Sequence, residues 1–159
     1  MKNKVCMLTS VHPPFDVRIF HKEAKSLVNS GHDVTLIAQH DEEEMVDGVK
    51  IINLQKPRNR IERMTKTVWS AHRIERMTKT VWSAYRKAVQ LDADIYHFHE
   101  PEFIPFGIKL KKKGKKVIYD SHEDYGEDIL NKEWLPTILR NTVAKIFDRY
   151  EKKAAKSFD

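Results

Sequence analysis

The strongest constraint on this chain is an alternation. Short apolar runs at Val5–Leu8, Val34–Ala38, Val49–Leu54, Ile95–Phe98 and Val117–Asp120 are separated by stretches patterned as helices. Val5–Leu8 shows no apolar/polar alternation, as expected of a strand buried on both faces. Strands of this kind with helices between them predict an α/β fold, a doubly wound parallel sheet with right-handed crossovers.

The intervening stretches carry their own punctuation. Asp16 is placed as the N-cap of a first helix whose apolar face is Ile19, Phe20, Ala24, Leu27 and Val28, and Gly31 stands where such a helix ends. Glu42–Glu44 reads as an acidic loop, and Pro57 and Asn59 break the chain before a basic helical region from Arg60 to about Leu91. Pro101–Lys113 reads as a helix closed by Gly114, Ser121–Glu127 as a polar loop, and Pro136 as the start of a last helix reaching about Lys156. The 159 residues make one domain with a real core. The closing Ser157-Phe158-Asp159 carries no turn chemistry and reads as a chain cut before another strand, either a fragment or one domain of a larger protein.

Charge is uneven. Ten basic residues between Lys56 and Lys87 face only Glu62 and Glu75, a surplus of +8 in a chain of net charge +6, so the remainder carries about −2. Such a field suits an anionic membrane surface or phosphates, and equally a solvated helix face. The lone Cys6 forms no internal disulfide. No apolar run approaches the roughly 18 residues of a membrane span, and the N-terminal apolar run is too short for a signal peptide. Six lysines in Lys109–Lys116 sit at a helix C-terminus, where the dipole favours them, and no nucleic-acid signature accompanies them. No nucleic-acid partner is expected.

Arg60–Ala71 recurs letter for letter as Arg73–Ala84, with His72 and Tyr85 closing the copies, so residues 60–72 are duplicated as 73–85. A period of 13 residues rotates the second copy to about 140° from the first on an α-helix. Ile74, Met77, Val81 and Ala84 share a stripe with Ala88, whereas Ile61, Met64, Val68 and Ala71 face elsewhere. The second copy is therefore read as the native helix, which the first copy either extends by about 20 Å or leaves at a break near His72.

Chemistry concentrates in Asp94-Ile-Tyr-His-Phe-His-Glu-Pro-Glu102. Ligands of open α/β sheets bind at the carboxyl ends of the strands, which is where His99 and Glu100 fall, just before a proline that opens a helix. Alternation puts Ile95, His97 and His99 on one side of the strand, and His97 reads as a satisfied core histidine. His97, His99 and His122 with a carboxylate could in principle ligate Zn²⁺, but their spacing is not a helical ligand pattern such as His-Glu-x-x-His, and no metal is expected. The absence of Gly-x-Gly-x-x-Gly or a Walker sequence argues against a dinucleotide cofactor, and none is expected. Arg18 and His21 lie near the start of the first helix, either to meet an anion or on an exposed face.

Taken jointly, His12-Pro-Pro-Phe-Asp-Val-Arg-Ile-Phe-His-Lys-Glu-Ala24, Gly31–Ala38, Asp94–Glu102 and Val117–Asp124 resemble the N-terminal half of a family-4 glycosyltransferase with the two-Rossmann GT-B fold. The resemblance implies a Rossmann-like domain that helps move a sugar, with retention, from a nucleotide-sugar to an acceptor glycan such as a cell-surface polysaccharide or lipid-linked acceptor. It implies that His99 lies by the transferred sugar. It also implies that the His12–Arg18 loop, with Asp16, faces donor phosphates and acceptor, that Glu100 of the same motif contacts substrate, and that His122 and Glu123 line the acceptor side. The loop departs from the commoner Gly-Gly form. The C-terminal donor-binding half, which in such enzymes supplies most of the nucleotide pocket, is absent from these residues, so no turnover is expected of them alone. Similar transferases work at the cytoplasmic leaflet, so a cytoplasmic chain, peripheral on the inner membrane face through Arg60–Lys87, is expected. The competing reading is a non-catalytic basic module that docks on anionic membrane or a partner through the duplicated helix.

Overall fold

The structure, a computed structural model, describes residues 1–54, 76–121, 125–132 and 135–159. Its strands are β1 (Lys4–Leu8), β2 (Asp33–Gln39), β3 (Glu44–Val46), β4 (Val49–Leu54), β5 (Ile95–Phe98) and β6 (Lys116–Tyr119). They form one sheet in the order β3-β4-β2-β1-β5-β6, parallel except where β3 meets β4. The predicted strands are all present, and the sheet is the doubly wound arrangement of a Rossmann-like domain.

The helices are α1 (Val17–Ala24 in π winding, continuing as Lys25–Asn29), α2 (Arg76–Thr80 and Val81–Leu91), α3 (Pro101–Phe103 and Ile104–Lys112), α4 (Tyr125–Leu130) and α5 (Thr137–Ala155). Asp16 caps α1 as expected: its carboxylate accepts from the Arg18 and Ile19 N–H groups. After α1, the Gly31 and His32 N–H groups bond to Val28 and Leu27 carbonyls, with Gly31 at φ +86°. This is the left-handed helix stop that glycine permits without Cβ strain.

Side-chain alternation in β1 splits the core between the two sheet faces. Val5 and Met7 pack with Ile19, Phe20 and Ala24 of α1, while Cys6 and Leu8 pack with Val81, Ala84 and Ala88 of α2, Ile104 of α3 and Ala154 of α5. Burial pushes the Cys6 thiol far above its usual range. Of the second repeat copy, Val81 and Ala84 are fully buried in line with Ala88, the register read from the sequence. The first copy, like Ile74, lies outside the described residues.

Two loop expectations need correction. Glu44, placed in an acidic loop, opens the antiparallel edge strand β3, which turns into β4 through Asp47 and Gly48, both at positive φ (51° and 79°). That is the two-residue turn whose twist matches a hairpin. The stretch Ser121–Glu127 is interrupted at Tyr125, where α4 begins with Glu127 and Asp128 in its first turn, a placement the helix dipole favours. At the end of the chain Phe158 packs edge-on to Phe98, and Asp159 exchanges bonds with the Val117 backbone.

Candidate functional site

From β1 the sheet grows through β2 to β4 and β3 on one side, and then through β5 and β6 on the other. The reversal leaves a crevice beyond the carboxyl ends of β1 and β5, the usual ligand position in such sheets. Thr9 and Ser10 follow β1, His99 and Glu100 follow β5, Asp120 follows β6, and the first turns of α1 close the remaining side.

Glu100 ties β5 to the loop after β1. Its carboxylate accepts from the Thr9 hydroxyl and from the Ser10 and Val11 N–H groups (3.3 Å each), while Thr9 Oγ1 accepts from the His12 N–H at 3.0 Å. Glu100 is 2% exposed, and burial pushes its carboxyl up to about 7 against the lowering effect of the Thr9 and Ser10 bonds. The backbone N–H groups that a glycine-rich loop would offer a phosphate are here engaged within the protein. Glu100 is thus turned into the loop and away from the crevice, whereas His99 is placed among charged groups.

His99 is fully buried between two carboxylates. Its Nε2 lies 3.6 Å from Glu23 Oε2 and its Nδ1 3.5 Å from Asp120 Oδ2. Arg18 spans the same pair, donating from Nε to Glu23 Oε1 at 3.0 Å and from Nη2 to Asp120 Oδ2 at 2.5 Å. The bond to Glu23, ahead of the neighbouring charge of Asp120, holds the guanidinium above its ordinary value. The π winding of α1 makes the first of these contacts. The His21 N–H reaches back five residues to the Asp16 carbonyl, and at that spacing side chains five apart, Arg18 and Glu23, come into line.

His97 stands one strand step below, on the same side as predicted, its ring centroid 4.5 Å from that of His99. It is not a satisfied core histidine. Its Nε2 is buried with no hydrogen-bond partner among the described residues, and burial lowers its pKa. Met7 and Ile118 are its register neighbours in the sheet. Glu23, His97, His99 and Asp120 each present a ligand atom, all within 4.8 Å of one another. His12 lies at the mouth, Nδ1 3.7 Å from Asp16 Oδ2. Burial raises the Asp16 carboxyl, but the Ile19 and Arg18 N–H groups outweigh it, and the net shift is downward.

Of the residues predicted from sequence, His12, Asp16, Arg18 and His99 therefore gather at one crevice, Glu100 supports it from behind, and His122 and Glu123 lie outside the described residues. Glu23 and Asp120 were not singled out as site residues. Asp120 carried a signal, since it ends a buried strand, whereas Glu23 needs the π turn to reach the site. Against this geometry, the family model described as glycosyltransferase family 4 matches residues 17–159. No curated protein matches the chain.

Proposed function

The chain belongs to glycosyltransferase family 4, and on that premise we propose that it is the N-terminal, acceptor-side domain of a retaining transferase that moves a sugar from a nucleotide-sugar to a glycan or lipid-linked acceptor. The observation that carries the reading is the position of His99 at the β1/β5 switch, with Arg18 across its two flanking carboxylates. A sugar entering the crevice exchanges its hydroxyls for the Arg18 contacts. His99, Glu23 and Asp120 then offer an imidazole and two carboxylates to those hydroxyls while positive charge develops on the sugar ring. Glu100 serves as the support of the loop that carries His12 and Asp16. The Ser10, Val11 and His12 amides are already bonded, so donor phosphates are bound by side-chain charge, from His12 and Arg18, and by a C-terminal donor-binding domain.

In this division of labour residues 1–159 bind acceptor glycan but do not turn over. Saturation-transfer NMR with candidate acceptor glycans, beside a nucleotide-sugar turnover assay, tests it. Glycan signals that vanish in H99A, with no turnover by these residues alone, agree with the proposal. Multiple turnovers, or glycan signals indifferent to H99A, contradict it.

A second surface favours membrane docking alongside catalysis. Helix α5 exposes Ile138, Leu139, Val143 and Ile146 beside exposed Lys145, Arg149 and Lys153, the composition of an interfacial helix. Trp82, 48% exposed, adds an interfacial side chain from the expected Arg60–Lys87 region, most of which lies outside the described residues. Lys87 of that region is turned inward, donating to the Asn53 carbonyl at 2.7 Å. Among the described residues no helix is long and apolar enough to cross a membrane. Sedimentation with anionic vesicles, reversed by salt, supports docking at the inner membrane face, and binding to neutral vesicles with equal strength contradicts its electrostatic part.

A further inference from the structure

We propose that Glu23, His97, His99 and Asp120 form a binding site for a divalent transition metal of the zinc class, and that Arg18 occupies the cation position when no metal is bound. The site is defined by the geometry of the cluster; it shares Glu23, His99 and Asp120 with the proposed sugar crevice, so metal and sugar compete for those three side chains.

The donor set comes first. Two imidazoles and two carboxylates make an N₂O₂ set, which suits Zn²⁺ and its neighbours. Magnesium and calcium prefer oxygen alone. The residues come from separate elements: α1 supplies Glu23, the β5 end supplies both histidines, and the β6 end supplies Asp120. With metal–ligand distances of about 2.1 Å, the edge of a tetrahedral site is about 3.4 Å. The His99–Glu23 and His99–Asp120 separations of 3.6 and 3.5 Å already lie near that edge. The whole set spans at most 4.8 Å, so closure around an ion needs movements of about an ångström.

Two further observations point to a cation. The buried Nε2 of His97 has no hydrogen-bond partner among the described residues, and an ion in the cluster gives that lone pair one. The two carboxylates already hold a cationic group in Arg18. The Arg18 side chain is 44% exposed, so it can release Asp120 and return to water at small cost, whereas the two histidines behind it stand on and at the end of β5. Arg18 and the metal therefore compete for the same carboxylate oxygens.

Isothermal titration of the chelator-stripped chain with ZnCl₂ tests this, paired with Co²⁺ absorption. The expected result is one equivalent of Zn²⁺ per chain and visible Co²⁺ bands of a four-coordinate site. E23Q and H97A each weaken binding at least tenfold, R18A strengthens it several-fold, and H32A, a change remote from the site, leaves it unaltered. Glu23 is partly exposed, so E23Q keeps the test valid if H97A fails to fold. Zinc also raises the melting temperature of the unmodified chain but not that of E23Q. Binding indifferent to E23Q, binding weakened by R18A, or a reduction in H32A equal to that in E23Q overturns the proposal and assigns the zinc to surface histidines.

Discussion

Thr9 and Glu100 lie 91 positions apart in the chain and meet where β1 and β5 end, the Thr9 hydroxyl donating to the Glu100 carboxylate. With the Ser10 and Val11 amides on the same carboxylate, this fixes the loop that carries His12 and Asp16 to the strand that carries His99. The loop is thereby held in one conformation, its Ser10 and Val11 amides engaged by the carboxylate.

Replacing Glu100 with alanine removes the acceptor and leaves buried donors unsatisfied. We expect a loss of about 3 kcal/mol in urea unfolding, with a smaller loss for E100Q, whose amide oxygen still accepts. Equal stability of E100A and the unmodified chain contradicts the support role.

The same group sets a pH dependence. The folded carboxyl keeps its proton up to about pH 7, whereas an unfolded one loses it near 4.5. The folded state therefore binds more protons between these values. This contribution is fully present below about pH 4.5, declines as pH rises, and is lost above about pH 7, a change of about 3 kcal/mol. Urea midpoints at pH 5 and pH 8 should differ in the unmodified chain by more than in E100Q. A slope that E100Q leaves intact assigns the effect to other groups.

The strands and the Asp16 cap were legible because both are local. An apolar run between turn residues needs only its own neighbours, and an N-cap needs only the two amides that follow it. The alternation that put His97 and His99 on one side was likewise local. The β3 strand was missed although Asp47-Gly48 is a strong hairpin signal, because the acidic run before it drew the reading toward a loop. The contribution of Glu23 was not legible. In an α-helix Arg18 and Glu23 point apart, and the π winding of Val17–Ala24 brings them together. The orphaned nitrogen of His97 was invisible for a similar reason: satisfaction of a buried ring depends on side chains that tertiary contacts supply.

Gly107 is a packing glycine. A Cβ there would stand 2.7 Å from the Phe98 ring and 3.0 Å from that of Phe158. Alanine normally improves a helix interior by up to about 1 kcal/mol, but overpacking costs about 1–3 kcal/mol. G107A should therefore lower the thermal midpoint. A raised midpoint indicates that Phe158 moves aside freely.

The second repeat copy supplies the buried face of α2 through Val81 and Ala84. Deletion of Arg60–His72 should leave a cooperative melt and a stability within about 1 kcal/mol of the parent, as for changes away from a core. Loss of the cooperative transition would show that the first copy takes part in the core.

The most direct test of the account is the kcat of His99→Ala in a protein carrying both this domain and a donor-binding domain, measured as sugar transferred from a nucleotide-sugar. The account predicts a fall of about 100-fold or more, the size seen when a group aligned on transition-state charge is removed, with folding preserved by circular dichroism. A His99→Ala enzyme with unchanged kcat contradicts it and removes His99 from the reacting sugar.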